Sequence, residues 1–263
     1  MAAWGTYRPR EAAALCVGAM RYVARGKLRR PLRACLRRLA PICDIEAAGL
    51  RFRCNTNDNH AELRIVERGG GDNLRLFRRL APYLRPGATF VDVGANCGFF
   101  TLMAARAVGP AGRVIAIEPA DEMHRRLTFN IAANGFSNVR ALAVAAGPSV
   151  GHAVLHVTPR QRGQSSLAPV AGSIAVTVPM LPLTEIAARA NLARVDALKI
   201  DIEGYEDEAL LPYIASAPRR MWPRAILMET RHAERWRRDC LAALAGSGYR
   251  IAWRGRSDVL MAL

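Results

Sequence analysis

The feature that most constrains this chain is a regular alternation of short apolar segments with longer segments of helical periodicity, which runs from Ala88 to the carboxyl end. The predicted strands cover residues 89–93, 113–117, 139–144, 197–202, 225–228, 249–253 and 259–261, and the predicted helices cover 99–108, 121–133, 183–190, 206–214 and 234–245. Repeated strand and helix are typical of an α/β fold in which a mostly parallel sheet carries helices on both faces. Residues 254–258 alone separate the last two strands, which are therefore predicted to form a terminal antiparallel hairpin.

Other segments precede and interrupt this alternation. Residues 1–45 are predicted to form a basic helical extension. Residues 46–86 follow as a cap, with a strand over 49–54 and helices over 60–68 and 72–84. The α/β domain proper covers 87–263, and within it the segment 147–179 is predicted to be an inserted hairpin and loop over one end of the sheet.

The amino-terminal extension carries much of the charge. The net charge of the chain is +16, and residues 1–43 hold ten basic residues against the single acid Glu11. Such a segment favours contact with an anionic membrane surface or an acidic substrate, whereas no nucleic-acid recognition pattern accompanies it. The helix of the extension, over 10–39, is predicted to break near Arg30-Pro31, because the residue before a proline disfavours helical backbone.

Apolar side chains along this helix form a loose stripe that could dock on the domain or lie on a membrane surface. The stripe consists of Leu15, Met20, Val23, Leu28, Leu32, Leu36 and Leu39.

Composition excludes several classes of protein. The chain has 263 residues, of which 51% are hydrophobic, so it can bury a core and is not a disordered protein. No apolar run reaches the roughly 18 residues of a membrane span, and no clear signal-peptide cleavage site precedes the basic segment. Six cysteines without C-x-x-C spacing favour reduced thiols. We therefore expect a cytoplasmic protein, peripheral to a membrane at most.

The strongest local motif is a strand that runs through Asp92 into a turn with glycines at 94 and 98, followed by a helix. Gly94 permits a sharp turn, and Gly98 permits close approach of a ligand or a helix. The dinucleotide pattern G-x-G-x-x-G is not met, because Asn96 and Phe99 occupy the second and third glycine positions. The carboxylate of Asp92 disfavours a pyrophosphate and favours a cationic ligand group.

An acid at the end of the next strand completes a nucleoside-binding pattern. Glu118 follows the glycine turn by about twenty residues, where a carboxylate can accept hydrogen bonds from both ribose hydroxyls. An adenosyl group without a pyrophosphate fits both features, and S-adenosylmethionine is the common cofactor of that description. The predicted cofactor-binding residues are Asp92, Gly94, Asn96, Gly98, Glu118 and, from the strand described next, Asp201.

Two later strands end in residues that can carry chemistry. Lys199, Asp201 and Glu203 alternate onto one face as their strand ends, so the two acids reach the ligand-binding edge of the sheet. Glu229 and His232 follow the neighbouring strand, and a histidine can take up a proton near neutral pH. We expect Asp201 to face the transferred group, while Glu203, Glu229 or His232 orients or deprotonates the acceptor. These four are the predicted catalytic residues.

No metal site is predicted. The remaining histidines, at positions 60, 124, 152 and 156, show no metal-ligand spacing. A metal bound by Asp201, Glu203 and Glu229 is the less favoured alternative, because no set of cysteines and histidines accompanies these acids.

In combination, these motifs resemble those of the FkbM family of class I S-adenosylmethionine-dependent methyltransferases. The resemblance rests on the segments 92–98, 118–119, 165–167 and 198–206, together with Asn130 and Asn134, in the family's order over roughly residues 60–232. It implies a Rossmann-like seven-stranded sheet with a reversed last strand, and O-methylation of hydroxyls on sugars, polyketides and related metabolites. Two departures are Cys97, where an aliphatic residue is frequent, and the ending Glu229-Thr230-Arg231-His232 after the fifth strand.

The expected function is therefore transfer of a methyl group from S-adenosylmethionine to a hydroxyl of a sugar, glycan or secondary metabolite. One alternative is an NAD-dependent oxidoreductase, against which the missing glycines count. The other is a non-catalytic protein that binds an anionic surface or nucleic acid through its Arg-rich start.

Overall fold

The helices and strands follow the predicted alternation over most of the chain. The computed structural model describes residues 1–22, 29–159, 161–169 and 171–263. The helices are α1 (Glu11–Tyr22), α2 (Arg29–Leu39), α3 (His60–Arg68), α4 (Gly71–Leu80), α5 (Phe99–Val108), α6 (Asp121–Ala133), α7 (Leu183–Arg189), α8 (Glu206–Ser216) and α9 (Cys240–Gly246). The strands are β1 (Ile42–Ala47), β2 (Leu50–Asn55), β3 (Thr89–Val93), β4 (Arg113–Ile117), β5 (Val139–Leu142), β6 (Ala145–Ala146), β7 (Gly151–Val157), β8 (Ile174–Leu181), β9 (Ala197–Ile200), β10 (Ala225–Glu229), β11 (Arg250–Arg254) and β12 (Asp258–Ala262).

Within the described residues, a seven-stranded sheet has the order β11-β12-β10-β9-β3-β4-β5. The strands from β10 to β5 in this order are parallel, whereas β12 runs antiparallel to both β10 and β11. All five residues of the central strand β3 are buried, as expected for a parallel strand covered on both faces. The predicted α/β fold, with its mostly parallel sheet and terminal hairpin, is confirmed.

The strands β1 and β2 form a hairpin that is fastened to helix α6. Its two turn residues, Ala48 and Gly49, have φ values of 52° and 73°, as in a two-residue type I′ turn. The Asn134 side chain accepts from the amide of Arg51 at 2.9 Å and donates to its carbonyl at 2.8 Å. Two asparagines that carry the family resemblance thus have structural contacts here, because Asn130 likewise accepts from the Arg53 amide at 2.7 Å.

The amino-terminal extension packs on this cap. Met20 and Leu36 have no exposed surface and belong to the same apolar core as β2 and β3. Arg33 forms an ion pair with the buried Glu67 and so joins α2 to α3. Leu15 and Leu39 remain 75% and 51% exposed, so the predicted apolar stripe docks on the domain only in part. Its positions Val23 and Leu28 lie outside the described residues.

Several predicted boundaries are wrong. The helical segment is divided into α1 and α2 as predicted, but α2 begins at Arg29, so Arg30-Pro31 lies in its first turn, where a backbone N–H has no helical partner. The strand predicted over 197–202 ends at Ile200, because the chain turns through positive φ at Glu203 and Gly204. The helix predicted over 234–245 begins only at Cys240, where the Asp239 side chain accepts from the Ala242 amide.

Two further segments differ slightly from expectation. The strand predicted over 139–144 ends at Leu142, and β1 crosses residue 45, where the extension was expected to end. The inserted segment contains the antiparallel pair β7–β8, with β6 alongside β8, and its residues 160 and 170 lie outside the described ones. None of the helices in the described ranges combines the length and apolar character that crossing a bilayer requires.

Candidate functional site

A cavity of about 370 Å³ opens where the parallel strands β3, β4, β9 and β10 end. Residues after each strand line it: 94–97 after β3, 118–119 after β4, 201–203 after β9, and Glu229 and Arg231 at the end of β10. Open α/β sheets bind ligands beyond the carboxyl ends of their strands. Small-molecule sites typically enclose about 300 to 1,000 Å³. Both the place and the size of the cavity therefore suit a small ligand.

The predicted site residues divide into two groups. The cavity is lined by Gly94, Asn96, Glu118, Asp201, Glu203 and Glu229, whereas Asp92, Gly98 and His232 are not among its lining residues.

The glycine turn, residues 94–98, presents bare backbone to the cavity. Gly94 has φ +77°, and a Cβ placed on it would lie 2.0 Å from the carbonyl oxygen of Asp201. The amides of Gly94 and Ala95 both donate to the carbonyl of Ile117, at 3.0 and 2.9 Å, and so fix the turn to the end of β4. A side chain at position 94 would therefore displace the end of β9 and narrow the cavity.

Asn96 connects this turn to two other parts of the chain. Its backbone is left-handed, with φ +52°, and its side-chain oxygen accepts from the Cys97 amide at 2.7 Å. The same oxygen accepts from the Asn59 amide group of the cap at 2.7 Å, and its Nδ2 donates to the Gly163 carbonyl of the inserted segment at 3.2 Å. Asn96 thus connects both the cap and the inserted segment to the glycine turn.

Glu118 is buried and held by backbone amides. Its Oε2 accepts from the Asn96 amide at 2.8 Å, and its Oε1 accepts from the Ala120 amide at 3.0 Å. Burial raises the pKa of Glu118 to about 7, while the two amides and the charge of Lys199 act in the opposite direction. Each carboxylate oxygen has a second lone pair. The carboxylate can therefore also accept hydrogen bonds from ligand hydroxyls.

Asp92 and Gly98 support the glycine turn and are not among the lining residues of the cavity. The buried Asp92 carboxylate accepts from the Thr101 hydroxyl at 2.6 Å and lies 3.5 Å from the Lys199 ammonium. A Cβ on Gly98 would lie 2.7 Å from Cδ1 of Leu127, so this glycine allows helix α5 to pack close to α6. In the structure these two residues support the glycine turn and the packing of α5, and their direct contact with a cofactor stays a prediction.

Lys199 is a site residue that sequence reasoning placed on a face but gave no function. Its ammonium donates to the Gly94 carbonyl at 2.7 Å and lies 3.8 Å from the Asp201 carboxylate. Burial lowers the pKa of Lys199, but the charges of Asp201 and Asp92 outweigh that effect and the net shift is upward. The ammonium therefore stays charged and connects the glycine turn to the end of β9. The signal in the sequence that could have indicated this role is a single lysine within an otherwise apolar strand.

Four carboxylates that line the cavity, those of Asp201, Glu203, Glu229 and Asp258, form what we call the acid cluster. Glu229 and Asp258 are directly opposite each other in the antiparallel pair β10–β12. Burial raises the pKa of Glu203 to about 7, and the charge of Asp201 adds to this effect. Burial and the charges of Asp201 and Glu203 likewise raise the pKa of Glu229. Because these acids lie close together, each favours protonation of its neighbours or the binding of a cation at this edge of the sheet.

His232 contacts this cluster through Glu203. Its Nε2 lies 3.1 Å from Oε2 of Glu203, and its Nδ1 lies 3.5 Å from Oε1 of Glu234. Glu203, Glu229 and His232 each bring one nitrogen or oxygen within 4.8 Å of those of the other two. The predicted catalytic residues are therefore brought together, although His232 reaches the cavity only through Glu203.

Further lining residues come from segments that sequence reasoning did not connect with the site. The cap contributes Asn59, His60, Arg64 and Asn73, and the terminal hairpin contributes Ser257 together with Asp258. The position of Asn59 just before helix α3 was a local signal for a helix cap, but nothing in the sequence indicated which surface that helix would face.

The residues of the cavity fit S-adenosylmethionine. The glycine turn leaves a space that a Cβ would fill, and the Glu118 carboxylate can accept from the ribose hydroxyls. The acid cluster lies in the same cavity, and its negative charge complements a cationic sulfonium.

The sheet order, the glycine turn and the acid after β4 define the Rossmann-like fold of class I S-adenosylmethionine-dependent methyltransferases. A family model described as the methyltransferase FkbM domain matches residues 92–244, which is more than half of the chain. The chain belongs to the FkbM methyltransferase family, whose cofactor is S-adenosylmethionine. The predicted family is confirmed, and this membership does not favour the NAD-dependent or the non-catalytic alternative.

Individual relatives are more distant. The methyltransferase sdnD of Sordaria araneosa is 30% identical over an alignment of 151 residues, and the match covers 46% of this chain and 58% of that protein. An arsenite methyltransferase of Halobacterium salinarum is 37% identical over 70 residues, or 27% of this chain and 17% of that protein. The chain therefore spans less than two thirds of the length of either relative. Fibrillarin of Aeropyrum pernix, solved with bound S-adenosylmethionine, has a TM-score of 0.45 at 15% identity, over 84% of this chain and 82% of that one.

Proposed function

We propose that this protein transfers the methyl group of S-adenosylmethionine to a hydroxyl oxygen of a sugar, glycan or secondary metabolite. One observation carries the proposal: a single cavity is lined by the glycine turn, by the buried Glu118 and by the acid cluster. The first two suit an adenosine with a flexible cationic tail, and the third suits a hydroxyl that must lose a proton.

The bound cofactor supplies a methyl group on a positively charged sulfur, which is a good leaving group. The S–CH₃ bond breaks, an O–CH₃ bond forms, and the hydroxyl proton passes to a base of the protein. The glycine turn and Glu118 would hold the adenosyl part of the cofactor and so direct its methyl group at the acceptor. Asp201, held 3.8 Å from Lys199, faces the transferred group, while Glu203, Glu229 or His232 takes the proton.

The acceptor end of the cavity supports an oxygen-rich substrate. Besides the acid cluster, the cap places His60, Arg64 and Asn73 along the lining. These side chains can donate or accept hydrogen bonds with several hydroxyls at once. A hydroxylated small molecule or glycan is therefore the acceptor class that we propose.

Isothermal titration with S-adenosylmethionine tests the proposal. We expect binding to the full chain, and we expect Glu118→Ala to weaken it about 10- to 100-fold, because charge-assisted hydrogen bonds to the ribose are lost. Glu185→Ala is the matched control, since Glu185 pairs only with Arg189 in the described residues and does not line the cavity. An absence of binding at high protein concentration would remove the basis of the proposed function.

The acceptor class has its own test. The protein is incubated with methyl-labelled cofactor and with extracts separated into glycans, lipids and small metabolites. Label is expected on an ether oxygen of a hydroxylated compound. Label found on nitrogen, sulfur or carbon would contradict O-methylation while leaving methyl transfer intact.

We also propose that the protein works in the cytoplasm and that its basic extension contacts an anionic membrane or an acidic substrate. Arg30 and Arg38 on α2 are exposed, and the apolar side chain of Leu39 next to them is 51% exposed. Sedimentation with phosphatidylserine and phosphatidylcholine vesicles tests this contact. The double variant Arg30→Gln/Arg38→Gln is expected to bind the anionic vesicles more weakly. Equal sedimentation of the variant and the unaltered protein would argue against it.

A further inference from the structure

Three side chains at the edge of the cavity have the arrangement of metal ligands. Glu203 follows β9, whereas Glu229 ends β10 and His232 lies three positions further on. Two carboxylate oxygens and one imidazole nitrogen from these residues lie within 4.8 Å of one another. Ligand atoms bound at about 2.1 Å to one metal ion lie up to about 4.2 Å apart. Side-chain movements of less than about 1 Å would therefore bring all three onto one ion.

The carboxylate of Glu229 provides an independent indication that a cation belongs here. Its side chain is only 9% exposed, and its Oε2 is a buried atom with no hydrogen-bond partner among the described residues. The nearest paired cation, Nε of Arg231, lies 3.8 Å from the other oxygen, Oε1. A buried carboxylate oxygen without a partner is costly, and this side chain lines the cavity beside Glu203. A cation bound between them would satisfy it.

Lys199 does not fill this role. Its ammonium donates to the Gly94 carbonyl at 2.7 Å and lies between Asp92 and Asp201, so it neutralises the other part of the site.

The surroundings of the other two side chains also fit metal ligands. Nε2 of His232 is directed at Glu203, and its Nδ1 lies 3.5 Å from a carboxylate oxygen of Glu234. A metal-bound histidine characteristically has its second ring nitrogen next to a carboxylate, which fixes the ring. The backbone of Glu203 is held as well, because its carbonyl accepts from the Ser166 hydroxyl and from Nη1 of Arg235, both at 3.1 Å.

We propose that Glu203, Glu229 and His232 bind one divalent first-row transition-metal ion. An imidazole with two carboxylates suits Mn²⁺, Fe²⁺ or Zn²⁺, whereas Mg²⁺ and Ca²⁺ prefer oxygen ligands alone. The site differs from the acid-only alternative that the sequence offers, because His232 takes the place of Asp201. In the reaction, a role that rests on the proposed function, the positive charge would favour loss of the proton from the acceptor hydroxyl.

Titration with Mn²⁺ tests the site directly. The full chain is stripped with chelator, and binding of Mn²⁺ is followed by calorimetry and by electron paramagnetic resonance. We expect one ion per chain, displaced by Zn²⁺ but not by an equal concentration of Mg²⁺. Glu229→Gln and His232→Ala are each expected to weaken Mn²⁺ binding at least about tenfold. Glu185→Gln, the same change at an acid remote from the cavity, is expected to leave it unchanged.

Two further measurements keep the test decisive. Circular dichroism shows whether each variant is folded, and if one is not, Glu234→Gln takes its place, with a smaller loss of affinity expected because Glu234 supports His232 without touching the ion. Absence of Mn²⁺ binding to the unaltered protein, or equal binding by folded variants, would overturn the site. S-adenosylmethionine is titrated into the same stripped samples, so that failure of the metal site and failure of the proposed function are seen separately.

Discussion

The two sides of the cavity are built in different ways. On the cofactor side the backbone makes the site: the amides of Gly94 and Ala95 are bonded to Ile117, and both oxygens of Glu118 accept from amides. On the acid side, side chains from different strand ends lie close together, and Oε2 of Glu229 has no hydrogen-bond partner in the part of the chain that the structure describes. The cofactor side is thus preformed, and its polar groups are hydrogen-bonded. The acid side, in contrast, gains stability when it binds a proton, a cation or a substrate.

The largest effect on stability and cofactor binding is expected from Gly94→Ala, which disrupts the preformed cofactor side. The added Cβ would lie 2.0 Å from the Asp201 carbonyl oxygen in a left-handed backbone conformation. Strain and displacement of β9 are expected to lower the free energy of unfolding by about 3 kcal/mol or more and to abolish measurable cofactor binding. Chemical denaturation and calorimetry measure the two effects.

Gly246→Ala is the control for this substitution, because a Cβ at that position meets nothing within 4 Å and φ there is not left-handed. We expect this variant to bind the cofactor like the unaltered protein and to be at least as stable, because alanine is favoured over glycine in a helix. Normal cofactor affinity in Gly94→Ala would show that the cofactor side adapts, and the contrast between the two sides would fail.

The next largest effect is a change in stability expected from a substitution on the acid side. Glu203→Gln removes one charge from the acid cluster while keeping the shape of the side chain. Burial raises the pKa of Glu203 from 4.5 to about 7, so the folded state binds this proton more tightly than the unfolded state does. The stability that this proton provides is lost as the pH rises through 7. At pH 8 the amide variant is therefore expected to be more stable by about 2 kcal/mol, and the gain should shrink as the pH falls to 4.5.

The measurement is urea denaturation at both pH values, in chelator so that no metal ion contributes. The same change at Glu185, a partly exposed acid on α7, should show no comparable gain. A destabilised Glu203→Gln at pH 8 would mean that the carboxylate is satisfied after all and that the two sides are alike.

The same contrast explains what the sequence could reveal. Gly94 and Glu118 were assigned from local pattern, because a glycine turn and a strand-end acid have their chemistry within a few residues of one strand. Asp201 and Glu229 were also predicted to lie at this edge of the sheet, since neighbouring parallel strands bring their ends together, and both line the cavity. Their mutual spacing could not be predicted, because it depends on how the turn at Glu203 leaves the strand with φ +58°.

Contributions from the rest of the chain were beyond local pattern. Arg64 reaches the cavity only because the cap docks on the glycine turn through the contact of Asn59 with Asn96. Asp258 reaches it because β12 inserts beside β10. Both depend on tertiary packing between segments that are distant in sequence. The start of helix α9 was predicted too early for a different reason. The residues before Asp239 have a helical pattern as well, so the sequence does not show that the helix begins only after the cap at Asp239.

The smallest of these effects is a pH dependence of nucleoside binding on the preformed side. Burial raises the pKa of Glu118 to about 7, and ribose hydroxyls donate more strongly to the ionised carboxylate. The affinity for 5′-methylthioadenosine, which lacks the titrating amino-acid end of the cofactor, is therefore expected to fall about tenfold between pH 8 and pH 6. Calorimetry at the two pH values measures this change. Glu118→Gln should bind weakly and equally at both, whereas Glu203→Gln should keep the dependence. Should Glu203→Gln lose it instead, the acid cluster and not Glu118 would control nucleoside affinity, and the division of the cavity into a preformed and a responsive side would be reversed.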